Sequence, residues 1–134
     1  DKRIATASNQ GVWLNNNQIS KSDNMFAASQ VALKTTSVDA LIVISSVAEI
    51  KRFGLAFDYC DVVVMADSSH ANSSLFKVCQ MVFSQNVDLV VVNDSDEQTT
   101  LYAKQLGIKN LMTSSSASGL AQCAANIPHW PVQD

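Results

Sequence analysis

Short polar clusters follow three apolar segments of this chain, and they are the places where its chemistry could lie. The clusters are Ser45-Ser46, Asp-Ser-Ser-His at residues 67–70, and Asn-Asp-Ser-Asp at residues 93–96. In open α/β sheets, ligands bind just beyond the carboxyl ends of the strands, so all three clusters are candidate binding positions. Strand-to-helix turns and helix N-caps use the same residue types, and for each cluster taken alone that structural role is the commoner one.

The chemistry available at these clusters is limited. His70 could act as a general base or a metal ligand, although a solvated loop position is commoner for an isolated histidine. Asp67, Asp94 and Asp96 could hold a divalent cation, and a magnesium site usually borrows further ligands from nucleotide phosphates. With only four glycines, the chain has neither a Walker A motif nor a G-x-G-x-x-G loop. A serine nucleophile elbow is also absent. We therefore assign no catalytic residue from these patterns.

Three continuous apolar runs predict the strands that would carry the clusters. They cover residues 41–45, 61–66 and 88–93. Successive apolar residues are typical of a strand covered on both faces, as in a parallel sheet. The segments between the runs are short and have helical periodicity, and alternating strands and helices of this kind favour a right-handed, doubly wound sheet.

The N-terminal third predicts a hairpin and a helix. A short strand is expected at residues 3–6, and three asparagines at 15–17 separate residues 11–14 from residues 18–19. Because asparagine tolerates left-handed backbone geometry, this pattern predicts a β-hairpin. Ser22 or Asp23 is the expected N-cap of a helix that runs to Lys34. The residues expected on its inward face are Phe26, Ala27, Val31 and Met25.

Three further helices and a last strand follow from the later sequence. Residues 75–85 carry apolar side chains at i, i+3, i+4 and i+7, which predicts a buried helical face. Ser95 and Gln98 have the spacing of a capping box, and Gly107 suits the end of the helix that it would begin. A strand is expected at residues 108–113 and a last helix at 119–126.

These elements predict one three-layer, Rossmann-like α/β domain. We expect a mainly parallel sheet with helices on both faces, plus an N-terminal β-hairpin. The domain is predicted to cover residues 1–127, and residues 128–134, which contain Pro128 and Pro131, are predicted to form a tail.

Composition narrows the class of protein. The chain has 134 residues, of which 47% are hydrophobic and 16% charged, as in a folded globular domain. The net charge is −3 and no run of lysine or arginine occurs, so we do not expect a nucleic-acid partner. No apolar stretch approaches the roughly 20 residues of a membrane span. Three cysteines without metal-ligand spacing favour free thiols in a reducing compartment, which predicts a cytoplasmic protein.

The order of these segments resembles a known family. Residues 38–44 and 50–62 are similar to a V-D-x-A-V-L-E strand followed by A-R-G-G-I-L-R-R-G-L-G-F-D-R-C-D-V, which belong to the central, Mur-ligase-like domain of cyanophycin synthetase. Residues 11–19 resemble its G-V-Y-I-D-G-x-x-I hairpin, and residues 91–96 resemble its V-L-N-A-D-D motif. The similarity extends from about residue 3 to residue 113 with near-identical spacing, and G-L-A-F-D-Y-C-D-V at residues 54–62 is its most specific block.

The resemblance implies part of an ATP-dependent amino-acid ligase. Members of this family form an amide bond through an acyl-phosphate made with ATP and Mg²⁺. In this family the P-loop would precede residue 1 and the last domain would follow residue 134. The expected partners are therefore the remaining domains of a longer protein. A second copy of the chain in a homo-oligomer is a further expected partner. The resemblance places Asn93 near the adenine, keeps Asp96 on the nucleotide side, and leaves His70 as the remnant of a metal-side aspartate-histidine pair.

Several positions depart from the family pattern. The glutamate at the end of its strand, expected to help hold magnesium, corresponds to Ile44. The A-R-G-G turn is replaced by Ser46-Val47-Ala48-Glu49, which removes an arginine and two glycines. Phosphoryl transfer depends on such charge stabilisation, so the chain by itself is expected to be inactive. One explanation is a fragment of a divergent ligase; the other is a degenerate, non-catalytic domain that serves structure or assembly.

Overall fold

The computed structural model describes residues 2–65, 75–84 and 86–114 and contains both helices and strands. The α/β class is therefore confirmed. The chain divides between Ala56 and Phe57 into two compact units. Within the described residues the elements are, in chain order, β1 (Ile4–Ser8), β2 (Gly11–Leu14), β3 (Asn17–Lys21), α1 (Met25–Lys34), β4 (Ala40–Val43), α2 (Val47–Phe53), β5 (Tyr59–Met65), α3 (Leu75–Phe83), β6 (Asn86–Asn93), α4 (Glu97–Gln105) and β7 (Leu111–Ser114).

The first unit is built on a four-stranded mixed sheet in the order β3-β2-β1-β4. The β2–β3 hairpin is antiparallel, β1 pairs antiparallel with β2, and β1 pairs parallel with β4. Asn15 turns the chain between β2 and β3 at a φ of 53°. Its side-chain oxygen accepts a hydrogen bond from the backbone N–H of Ile4 at 3.0 Å. The predicted hairpin is confirmed, and asparagine has the left-handed geometry expected of it.

Helix α1 covers one face of this sheet. Asn24 is its N-cap, because the Asn24 side chain accepts from the N–H of Ala27 at 2.8 Å. The core between helix and sheet consists of small or branched residues: Ala5, Ala7, Val12, Ala28 and Ala32, with Val38, Leu41 and Val43 packed against them. Alanines on both elements let the two backbones approach closely.

The inward face of α1 differs from the prediction. The buried residues are Met25, Ala28, Ser29 and Ala32, whereas Val31 is 41% exposed. Serine can lie on this face because its hydroxyl donates to the Met25 carbonyl at 2.7 Å, which satisfies a buried polar group. The inward face of the helix therefore combines Met25 with small side chains that fit against the small residues of the sheet. The N-cap is likewise one residue beyond the predicted Asp23.

The second unit contains a three-stranded parallel sheet in the order β5-β6-β7. Residues Val90, Val91 and Val92 of the central strand are almost fully buried on both faces, as the continuous apolar run predicts. Helix α3 buries Leu75, Val78, Cys79 and Val82, so its predicted face is confirmed.

Both described helices of the second unit lie on one face of its sheet. Right-handed crossovers between strands in sequential order place successive helices on the same side. Contact between Phe76 of α3 and Tyr102 of α4 agrees with this, since their rings meet edge to face with centroids 4.8 Å apart. Right-handed crossovers place helices on both faces of a parallel sheet only where the order of the strands in the sheet reverses.

The three predicted parallel strands are present as β4, β5 and β6, with β4 ending at Val43 rather than Ser45. We predicted a single, mainly parallel sheet. The four-stranded sheet of the first unit is instead mixed. The three-layer arrangement and the single domain over residues 1–127 stay predictions.

The expected helix at 119–126 and the tail at 128–134 lie outside the described residues. Among the helices that are described, none is long and apolar enough to cross a bilayer.

Gly11 provides a test of the hairpin. Its φ is 138°, and a Cβ at this position would overlap the backbone carbonyl oxygen of Ser20. We expect Gly11→Ala to lower the free energy of unfolding by about 2 kcal/mol or more, because both the dihedral angle and the contact are unfavourable. Urea denaturation followed by circular dichroism measures the change.

Gly54→Ala is the matched control for that substitution. Gly54 has a φ of 79°, but nothing lies within 4 Å of its Cβ position. It should cost about 1 kcal/mol through backbone strain alone. Equal losses in the two variants would contradict the close approach of Gly11 to β3.

Candidate functional site

The carboxyl end of β6 forms a closed polar turn. Asn93 is its last residue, and the Asn93 Oδ1 atom accepts hydrogen bonds from the Ser95 backbone N–H at 3.0 Å and from the Ser95 hydroxyl at 2.7 Å. The Asp94 N–H donates to the Ser114 carbonyl at the end of β7. The amide oxygen of Asn93 is thus committed to the turn, and its NH₂ group remains the part that could donate to a ligand.

Asp96 is the N-cap of α4. Its Oδ1 atom accepts from the Thr99 backbone N–H at 3.1 Å, and its Oδ2 atom accepts from the Thr99 hydroxyl at 2.7 Å. The predicted capping box at Ser95 is therefore wrong by one position. The physical reason is that aspartate is as good an N-cap as serine, and the Ser95 hydroxyl donates to Asn93 Oδ1, which holds the Ser95 side chain in the turn before the helix.

Charge at the start of α4 disfavours an anion there. Backbone N–H groups and the helix dipole give a helix N-terminus a partial positive charge, which is why phosphate groups often bind at such positions. In α4 the carboxylates of Asp96 and Glu97 already occupy the first turn. A phosphate at this helix end would meet two negative charges. The rim formed by Asn93 and Asp96 suits a neutral hydrogen-bonding group or a cation better than a phosphoryl group.

The carboxyl end of β4 carries no acidic group. Ile44 follows the strand, its backbone N–H donates to the Ala7 carbonyl at 2.9 Å, and its side chain is 57% exposed. Ser46 and Glu49 form a reciprocal capping box at the start of α2: the Ser46 hydroxyl accepts from the Glu49 N–H at 3.1 Å, and the Glu49 Oε1 atom accepts from the Ser46 N–H at 3.2 Å. Ser46 and Glu49 therefore serve as the N-terminal cap of α2.

One atom of this cap has no hydrogen-bonding role among the described residues. The Glu49 Oε2 atom is buried and has no hydrogen-bond partner there. The capping geometry turns this carboxylate back towards its own helix.

A second polar cluster was not predicted as a site. The Tyr59 hydroxyl lies 2.7 Å from Asp61 Oδ1 and 3.0 Å from Asp88 Oδ2. Its single proton can be donated to only one carboxylate at a time. The hydrogen bond to Asp61, followed by that to Asp88, raises the pKa of Tyr59 above its ordinary value. The cluster joins β5 to β6 in the amino-terminal half of both strands, away from the carboxyl ends where ligands bind.

A sequence signal for this cluster exists. Residues two apart on a strand point to the same face, which pairs Tyr59 with Asp61. The register pairs Cys60 with Val87 and Val62 with Leu89, so the residues between them, Asp61 and Asp88, are neighbours. Finding them from sequence would have required that register.

The described thiols do not resemble nucleophiles. Burial raises the pKa of Cys79 to about 11 and is also the largest cause of the raised pKa of Cys60. The Cys60 thiol donates to the Val62 carbonyl at 2.9 Å. A thiolate is the reactive form of cysteine, so these positions favour inert, structural thiols at neutral pH.

The described residues do not test the prediction that His70 lies on the metal side of the site. His70 and Asp67 lie outside the described residues. Over residues 2–65, 75–84 and 86–114, no group of three histidine, cysteine, aspartate or glutamate side chains could hold a metal ion. The structure brings Asn93 and Asp96 into one turn, and their assignment to the nucleotide side stays a prediction.

No protein-family model and no curated protein matches the chain, so these comparisons do not assign it to a family. The resemblance to cyanophycin synthetase rests on the motifs quoted above.

Three substitutions separate the capping role of Asp96 from a binding role. We expect Asp96→Ala to lower the free energy of unfolding by about 1 kcal/mol, because the first turn of α4 loses its cap. Asp96→Asn should retain most of the stability, since asparagine also caps helices. Asp94→Ala at the exposed neighbouring position is the control, with a change within about 0.5 kcal/mol. Urea denaturation measures all three, and an Asp96→Ala variant as stable as the control would rule out the cap.

Alkaline pH tests the Tyr59 cluster. The pKa of Tyr59 is raised in the folded protein, so its contribution to stability is complete below the unfolded value of about 10 and decreases as the pH rises beyond it. We expect the free energy of unfolding of the parent protein to fall between pH 9 and about pH 11 more steeply than that of Tyr59→Phe.

Tyr102→Phe is the control for this pH series, because it keeps the ring that contacts Phe76. It should follow the pH dependence of the parent protein. If Tyr59→Phe and the parent had parallel pH profiles, the hydroxyl would not interact with the two carboxylates in solution.

Proposed function

We propose that this chain is a fragment of a cyanophycin-synthetase-like, ATP-dependent amide-bond ligase, from its central Mur-ligase-like domain, and that it is catalytically incompetent by itself. The observation that carries the proposal is the use of polar side chains at the ends of β4 and β6. Those side chains cap helices or close turns, while the strand-end position expected to bind magnesium holds Ile44.

The end of β4 supports loss of the magnesium site. Mg²⁺ requires oxygen ligands in near-octahedral geometry, and an isoleucine side chain has none. The next carboxylate after Ile44 along the chain is Glu49, whose Oε1 atom accepts a hydrogen bond from the Ser46 N–H. Turning this carboxylate outward to a metal would break the Oε1 bond to the Ser46 N–H, which is half of the capping box.

The residues at the end of β6 support a retained contact to the nucleotide base, but not the positive charge that phosphoryl transfer needs. The Asn93 oxygen is engaged in the turn, which leaves its NH₂ group to donate a hydrogen bond to an adenine ring. Asp96 and Glu97 place negative charge at the start of α4. Phosphoryl transfer needs positive charge around the transferred group, and the arginine that would help to supply it is missing from the α2 turn.

ATP and Mg²⁺ therefore belong, in this proposal, to the complete ligase rather than to this chain. His70 would lie on the metal side, and the P-loop would come from residues that precede the chain. The partners would be the remaining domains of the longer protein, in a monomer or a homo-oligomer. A cytoplasmic location is part of the same proposal, and the free thiols of Cys60 and Cys79 suit a reducing compartment.

The proposal also includes a single three-layer, Rossmann-like domain. Its support is the repeated strand-helix-strand order from β4 to β7, with parallel pairing of β1 to β4, β5 to β6 and β6 to β7. The helix α2 between β4 and β5 has the sequence position of a crossover helix.

Titration calorimetry with ATP and Mg²⁺ tests the proposed inactivity. We expect no saturable heat up to about 1 mM nucleotide, because the sequence has no Walker A motif and the start of α4 is acidic. A dissociation constant tighter than about 1 mM would overturn the claim. If that binding disappeared in Asn93→Ala but not in Asp94→Ala, the residue assignment would survive while the claim of inactivity failed.

A second experiment separates a ligase fragment from a degenerate domain. The longer gene product, supplied with ATP, Mg²⁺ and amino acids, should release phosphate only when amino acids are present. Ile44→Glu in that protein should increase the rate, because a carboxylate returns to the end of β4. Absence of phosphate release from both forms would favour the degenerate alternative.

That alternative, a non-catalytic domain with a structural or partner-binding role, has one specific observation in its favour. Ile44 is 57% exposed and Ile42 is 39% exposed, on the face of β4 opposite to Leu41 and Val43, which pack against the core. A large exposed apolar side chain at a strand end is costly in water and favours burial against a neighbouring domain of the same protein.

The substitution Ile44→Ser tests this role. The free energy of unfolding should change by no more than about 0.5 kcal/mol, because the side chain is largely exposed. Affinity for the separately produced remaining domains should fall about tenfold, as expected for the loss of one buried isoleucine contact. Ile19→Ser, at a 47% exposed position on β3, is the control and should retain that affinity. Equal affinity of both variants and the parent would exclude β4 from the contact.

A further inference from the structure

We draw no further inference here: the strongest candidate, the surface cluster of Tyr59, Asp61 and Asp88 on β5 and β6, is a pair of carboxylates closed by its own hydrogen bonds to one hydroxyl, and among the described residues no second feature points to a ligand there.

Discussion

The first turn of a helix has backbone N–H groups that the helix itself cannot satisfy, and this requirement shapes the polar positions of the chain. Asn24, Ser46 and Asp96 each place a side-chain oxygen on one of these groups, at the starts of α1, α2 and α4. Each cap stabilises its helix by about 1 kcal/mol. In a small domain of marginal stability that is a substantial share, so residues in such turns are constrained by folding before any function is considered.

Two of these caps occupy positions where an α/β protein also keeps its ligands. A side chain that caps a helix has a fixed direction and little remaining hydrogen-bonding capacity. Asp96 uses both carboxylate oxygens on Thr99, and Glu49 uses one oxygen on Ser46. Binding and capping therefore compete for the same atoms, and the geometry favours capping.

The two sheets solve the packing problem in different ways. The mixed sheet of the first unit packs small residues such as Ala5 and Ala7 against alanines of α1, which brings the helix close. The parallel sheet of the second unit buries a central strand of valines on both faces. Polar groups in its strands are tolerated near the amino ends, where the Tyr59 hydroxyl connects Asp61 and Asp88. The packing of each sheet follows from side-chain volume, and the polar cluster lies where the strands are exposed.

Local pattern was enough to predict the strands, the hairpin turn at Asn15 and the buried face of α3, because periodicity, turn preference and apolar runs depend on near neighbours. The rotation of α1 and the pairing of Asp61 with Asp88 depended on contacts with other elements, whereas the α4 cap was a local choice between two good N-cap residues. Helix rotation is set by the shape of the sheet beneath it. Register between strands 27 residues apart is likewise a tertiary property, since it is fixed by backbone hydrogen bonds between β5 and β6 that no local pattern encodes.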